Sequence, residues 1–255
     1  MKLIAILAAS AALAICAAPA AAKPASSAVV AKALADPDRP AAEVARDAAR
    51  KPAVMIAFAG LKPGERVIDF IPGGGYFTRI FSGVVGPKGH VYAMVPGAAE
   101  AFEAKQTATI SDFAAKHPNV SVVITKGLDF SVPGGPVDVF WTAQNYHDLY
   151  NPLTKGGPKA TTMMPINKAV YATLKPGGVY MIIDHVAPAG SGTSDTNTLH
   201  RIDPAVVRKD VEAAGFKFVG ESDALRNPAD PHTAVVFDPS IRGHTDQFVY
   251  LFRKP

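Results

Sequence analysis

The sequence predicts an α/β fold, a mostly parallel seven-stranded sheet with helices on both faces. Three observations carry this. Strand-like and helix-like segments alternate from residue 66 to residue 220, the order that lays crossover helices over a parallel sheet. The strand candidates are near-continuous apolar runs, and strands buried on both faces read that way. The first strand also runs straight into Gly73, Gly74 and Gly75, a turn that lets backbone come close to another group.

The elements follow in order. Met1 and Lys2 give a short positive start, and Leu3 to Ala18 is small and apolar apart from Ser10. With Ala20, Ala21 and Ala22 as a small-residue cleavage site, residues 1–22 are predicted to be a signal peptide. The protein would then be periplasmic or secreted, and its Ala-rich leader is too weakly apolar for a lasting membrane span. Cys16, the single cysteine, lies in this leader, so no disulfide is expected. Residues 23–60 are predicted to be an N-terminal helical extension packed on the core. Within them 23–35 is Ala/Ser-rich, Asp36 to Pro40 is a turn, and Ala41 to Gly60 is helical with a break at Lys51 and Pro52.

Residues 61–255 form the main domain. Strands are expected at Arg66–Phe70, His90–Val95, Val120–Ile124, Val137–Thr142, Gly178–Asp184, Phe216–Gly220 and Gln247–Phe252. Helices are expected at Tyr76–Val85, Ala98–His117 and Ala160–Leu174. A last one starts at Asp203 and Pro204, a good cap and first residue, and ends at Gly215. Three long connections, 143–160, 186–202 and 221–245, leave the carboxyl edge of the sheet, where ligands bind in open α/β folds. The 26 basic and 22 acidic residues nearly cancel and form no like-charged block, so no nucleic-acid partner is expected. The oligomeric state is left open.

The glycine turn narrows the ligand. A dinucleotide fingerprint starting at Gly73 would need glycine at Thr78, and the Lys-Ser/Thr ending of a P-loop is missing. Asp69, just before the turn, would repel a pyrophosphate but would favour an ammonium group. The helix opening near Tyr76 offers free N–H groups to a carboxylate. A zwitterion such as an amino-acid moiety satisfies both.

The motifs here resemble class I S-adenosylmethionine-dependent methyltransferases. "KPGERVID" ending at Asp69 with its glycine turn is similar to the opening of that superfamily, and "LKPGGVYMIID" ending at Asp184 is similar to its fifth strand. "GFKFV" and "DQFVYLF" resemble its final antiparallel pair. "PGGGYFT", "QNYHDLY", "HRIDPAVV", "LRNPADP" and "IRGHTDQFVYLFRKP" resemble an exported bacterial branch of predicted methyltransferases. The resemblance implies a Rossmann-like methyltransferase sandwich, S-adenosyl-L-methionine as cofactor and a small-molecule methyl acceptor. It implies that Asp69, Pro72, Gly73, Gly74, Gly75 and Tyr76 hold the methionine part. Asp129 and Phe130 would meet the adenine, while Gln144 and Asn145 would line the mouth. The sequence departs from the superfamily at Ile71, where a glycine is usual, and at Val95, where an acid usually reads the ribose. Glu100 and Glu103 are the nearest acids that follow.

Methyl transfer asks the protein to position and desolvate the reacting groups, and a base helps where the acceptor must lose a proton. Tyr146, His147 and Asp148 follow the fourth strand, and Asp184 and His185 end the fifth. These five are the expected catalytic rim, with His147 as base or acceptor-positioning group and His200 and Arg201 closing over it. A metal held by His147, Asp148, Asp184, His185 and His200 is the alternative use of the same side chains. No His-x-x-x-His or Glu-x-x-His spacing exists, so no metal is expected. A non-catalytic exported binding protein on the same fold is the second functional reading.

Overall fold

The computed structural model describes residues 23–97, 100–151 and 160–255, the side chains of 100–103 and 106 excepted. The expected signal peptide, and the side chains of Glu100 and Glu103, lie outside the described residues. No helix among them is long and apolar enough to cross a membrane.

Seven strands form one sheet: β1 (Arg66–Phe70), β2 (His90–Pro96), β3 (Val120–Thr125), β4 (Val137–Ala143), β5 (Leu174–His185), β6 (Lys217–Glu221) and β7 (Gln247–Arg253). Their order is β3-β2-β1-β4-β5-β7-β6. β1 pairs in parallel with both β2 and β4, while β7 is antiparallel to β5 and β6. Chain direction across the sheet reverses at β1, so the crevice between the carboxyl ends of β1 and β4 is the topological switch point.

Two apolar layers hold the sheet. Val67, Val139, Trp141, Met181 and Val249 point to one face and pack under α1 (Ser27–Leu34), α4 (Pro52–Ala59) and α5 (Tyr76–Val85). Ile68, Phe70, Phe140, Tyr180 and Phe252 point to the other, with α7 (Met164–Thr173) and α8 (Pro204–Ala213). This alternation is the period of two that puts neighbouring strand residues on opposite faces.

The N-terminal segment is helical in four short pieces. Residues 27–34 are helical, with the Ser26 hydroxyl accepting from Val29 N–H at the cap. Val30 and Ala33, one turn apart, are buried. Ala33 meets α5 at Gly83, where an added Cβ would lie 2.7 Å from the alanine's. The helix expected over Ala41–Gly60 breaks at Lys51 and Pro52 as expected, with Lys51 left-handed (φ 43°) before Pro52 starts α4, and it breaks a second time between α2 (Ala41–Val44) and α3 (Asp47–Arg50). α6 (Glu100–Ala114) ends before its expected bound, the first two residues of that expected helix lie outside the described residues, α7 starts and ends slightly inside its own bounds, and β5 begins earlier, at Leu174. At α8, the Asp203 carboxylate accepts from Ala205 N–H and Pro204 is the first helical residue.

Candidate functional site

The β1–α5 turn sits at the switch point. Gly73 (φ 55°) and Gly75 (φ 89°) are left-handed, and so is Ile71 (φ 54°), although a β-branched side chain disfavours that conformation. The turn therefore keeps the geometry that a glycine at 71 would allow. Gly74 has an ordinary φ, and a Cβ built on it would meet nothing within 4 Å. Its open side is a cradle that any side chain would fill.

Asp69 is buried below the turn, where its Oδ2 accepts from the Thr78 hydroxyl at 2.6 Å. Thr78 N–H also bonds the carboxylate, so Asp69 caps α5 from inside. Burial raises its pKa to about 7, against the pull of Thr78 and of Arg50. Arg50, from the end of α3, reaches over the turn. Its guanidinium lies 4.4 Å from the Tyr76 ring centre and 4.9 Å from that of Phe77, and donates to Gln144 Oε1 at 3.1 Å. Burial, then Arg46, lowers its pKa to about 10. It forms no ion pair among the described residues. Its neighbours do pair: Arg39 with Asp47, which also accepts from the Tyr76 hydroxyl, and Arg79 with Glu43 and the Gly74 carbonyl.

The second half of the rim lies past β4 and β5. The turn His147–Tyr150 follows β4. Asp184, fully buried on β5, receives His147 N–H at 2.7 Å and His147 Nδ1 at 2.8 Å, and also His185 N–H at 2.8 Å. Those contacts fix the His147 ring with Nε2 turned outward. There Nε2 lies 3.2 Å from His200 Nδ1 and 3.3 Å from Asp148 Oδ1, and the last two are 3.4 Å apart. Burial opposes charge on His147, but Asp184 and Asp148 outweigh it and raise its pKa to about 10. Burial would raise Asp148, but His147 and His200 lower it well below the usual carboxylate range. His185 is a different case. Burial lowers it to about 4, and its Nδ1 lies 2.7 Å from the Thr245 hydroxyl oxygen.

Of the expected rim, His147, Asp148, Asp184 and His185 come together with His200. Tyr146 does not join them. It is fully buried in the α7 face, where its hydroxyl accepts from Asn167 at 2.9 Å, because its aromatic ring packs beside Tyr150. Gln144, left-handed at φ 66°, links Arg50 to Gln247, and Asn145 donates to the Ile71 carbonyl, tying β4 to the glycine turn. Pro72 receives Gly75 N–H on its carbonyl and closes that turn. Asp129 and Phe130 are split. Phe130 packs in the core against Phe70 and Phe140, whereas Asp129 is exposed and bonds Ser131 N–H. Arg201 does not face a ligand but is fully buried against Asp230. Val95, at the ribose position of the resemblance, is buried, and β2 ends without an acid. Nothing in the sequence pattern singles out Arg50 or Gln247. Both reach the crevice from elements remote in sequence, and only the Lys51-Pro52 break hinted that α3 turns there.

No protein-family model matches the chain, and no curated protein matches it. Solved structures do. An S-adenosylmethionine (SAM) dependent methyltransferase from Aquifex aeolicus is 19% identical over 89% of this chain and 98% of its own, with a TM-score of 0.58. The [4+2]-cyclase SpnF is 18% identical over 82% and 81%, also at 0.58. The N-methyltransferase NodS from Bradyrhizobium japonicum WM9 is 13% identical over 83% and 96%, at 0.53. The fold is the Rossmann-like fold of class I methyltransferases. At such identities the likeness speaks for the fold alone, and the cyclase shows that one architecture carries more than one reaction.

Proposed function

We propose that the protein is an S-adenosyl-L-methionine-dependent methyltransferase of the exported bacterial branch, acting outside the cytoplasm on a small-molecule acceptor. Arg50 carries the reading. A half-buried cation with no ion pair among the described residues, held at the start of α5 beside the glycine turn, calls for an anion there. Asp69 is buried beneath the same turn, within reach of the Arg50 charge, and a side chain at Gly74 would meet nothing within 4 Å. These residues fit the zwitterionic amino-acid end of the cofactor, with Asp69 towards the ammonium and Arg50 and the α5 N-terminus towards the carboxylate. At the ribose end they fit less well, since β2 supplies no acid.

The bound cofactor would supply an electrophilic methyl group. The chain's own work is to hold and desolvate the partners. Gln144 and Asn145 form the mouth, fixed by Arg50, Gln247 and Ile71. The cluster of His147, held by Asp184, with Asp148 and His200 receives the polar atom of the acceptor. His185, neutral and buried, supports the Asp184 end of the cluster.

A thermal-shift experiment with S-adenosylhomocysteine tests the reading, since a ligand stabilises by RT ln(1 + [L]/Kd). A rise of several degrees at saturating ligand is expected. A folded protein with an unmoved midpoint favours the second reading, a binding protein that keeps the fold without using the cofactor, to which Val95 points.

A further inference from the structure

We infer that His147, Asp148 and His200 form a metal site for zinc or a cation of like chemistry, with one coordination position open. The observation is the triangle their ligand atoms make, with edges of 3.2, 3.3 and 3.4 Å. Zinc binds imidazole nitrogen and carboxylate oxygen at ~2.0–2.2 Å, which puts the corners of a tetrahedron ~3.3–3.6 Å apart. An octahedral magnesium site at ~2.0–2.1 Å would need corners at ~2.9 Å, and calcium takes oxygen ligands rather than two imidazoles. Donor type and spacing select the same ion.

The surroundings are those of a built site. Asp184 takes the Nδ1 proton of His147 on one oxygen and the His147 backbone N–H on the other, which leaves Nε2 as the ligand atom facing the triangle. A carboxylate behind a ligating histidine sets ring orientation and basicity in just this way. Asn151 Nδ2 donates to Asp148 Oδ1 at 3.1 Å and steadies the second ligand. His200 is delivered by a left-handed backbone (φ 54°) from the loop after β5. Ile202 N–H on the His185 carbonyl and buried Arg201 fix that loop, and Phe237 packs edge-on to the ring at 4.8 Å. Among the described residues this is the one place where three such ligand atoms lie within 4.8 Å of one another. The Asp148 and His200 side chains are 44% and 29% exposed, so the fourth corner opens outward, to water or to an oxygen, nitrogen or sulfur atom of a substrate.

The inference does not rest on the cofactor reading, and its test uses none. Protein produced without a polyhistidine tag and stripped with chelator is titrated with Co²⁺ and then with Zn²⁺. The expected result is one equivalent of Co²⁺ with the intense visible bands of four-coordinate cobalt, bleached by one equivalent of Zn²⁺. His200→Ala and Asp148→Ala should each weaken binding by ~100-fold or more, with unchanged circular dichroism, because both side chains reach the surface. His232→Ala, whose ring sits on Asp246, should change nothing. Absence of stoichiometric binding, a pale octahedral spectrum, or equal affinity in the His200 and Asp148 variants would each overturn the site.

Discussion

Replacing Asp69 by Asn should stabilise the ligand-free protein at neutral and alkaline pH and leave it nearly unchanged near pH 4. In the fold, burial holds the carboxyl protonated up to about 7, against 3.8 for the free group. Between those values the native state binds more protons than the unfolded one, so stability falls as pH rises through the window and levels off above it. At 1.36 kcal/mol per unit the full penalty is on the order of 4 kcal/mol. The amide oxygen of Asn can still accept from Thr78, so the α5 cap survives while the charge is removed. Urea unfolding of both proteins from pH 4 to pH 8 is the assay. The variant's advantage should grow across that range towards a few kcal/mol, while its affinity for S-adenosylhomocysteine falls through loss of the ammonium partner. A stability difference that does not change with pH would refute the reasoning.

Gly74→Val should fold normally, since its φ is ordinary and its Cβ has room, yet abolish the thermal shift given by S-adenosylhomocysteine. Arg50→Met should weaken the same ligand by about 10- to 100-fold in calorimetry, the scale of one lost charged hydrogen bond. Asp230→Asn strands the fully buried Arg201 guanidinium and should cost ~3–5 kcal/mol in urea unfolding. Gly83→Ala drives a methyl to 2.7 Å from Ala33 Cβ, and should cost ~1–3 kcal/mol and expose the α1 segment to limited proteolysis.

The sheet was legible because its cause is local. Most strands are apolar runs bounded by turn residues, and alternation with helices leaves few topologies. The antiparallel place of β7 came from resemblance, since Gln247 to Phe252 alone does not reveal a direction. Within the helical extension the bounds of α1 are hard to read, because Ala and Ser dominate 23–35, although Ser26 is a plain cap and Val30 and Ala33 share a face. At the site, legibility stops where long-range contacts decide. Arg50 meets Gln144 across 94 positions, and His200 meets His147 across 53, so neither pair leaves a spacing signature. Tyr146 and Phe130 show the opposite limit. The motifs suggest the catalytic rim for Tyr146 and the adenine for Phe130, but aromatic packing takes both rings into the core.

Isothermal titration of the purified protein with S-adenosyl-L-methionine and S-adenosylhomocysteine is the most direct measurement. One site per chain is expected for each ligand, lost in Gly74→Val and weakened in Arg50→Met. Absence of binding heat from either ligand, in protein that unfolds cooperatively, would contradict the methyltransferase reading.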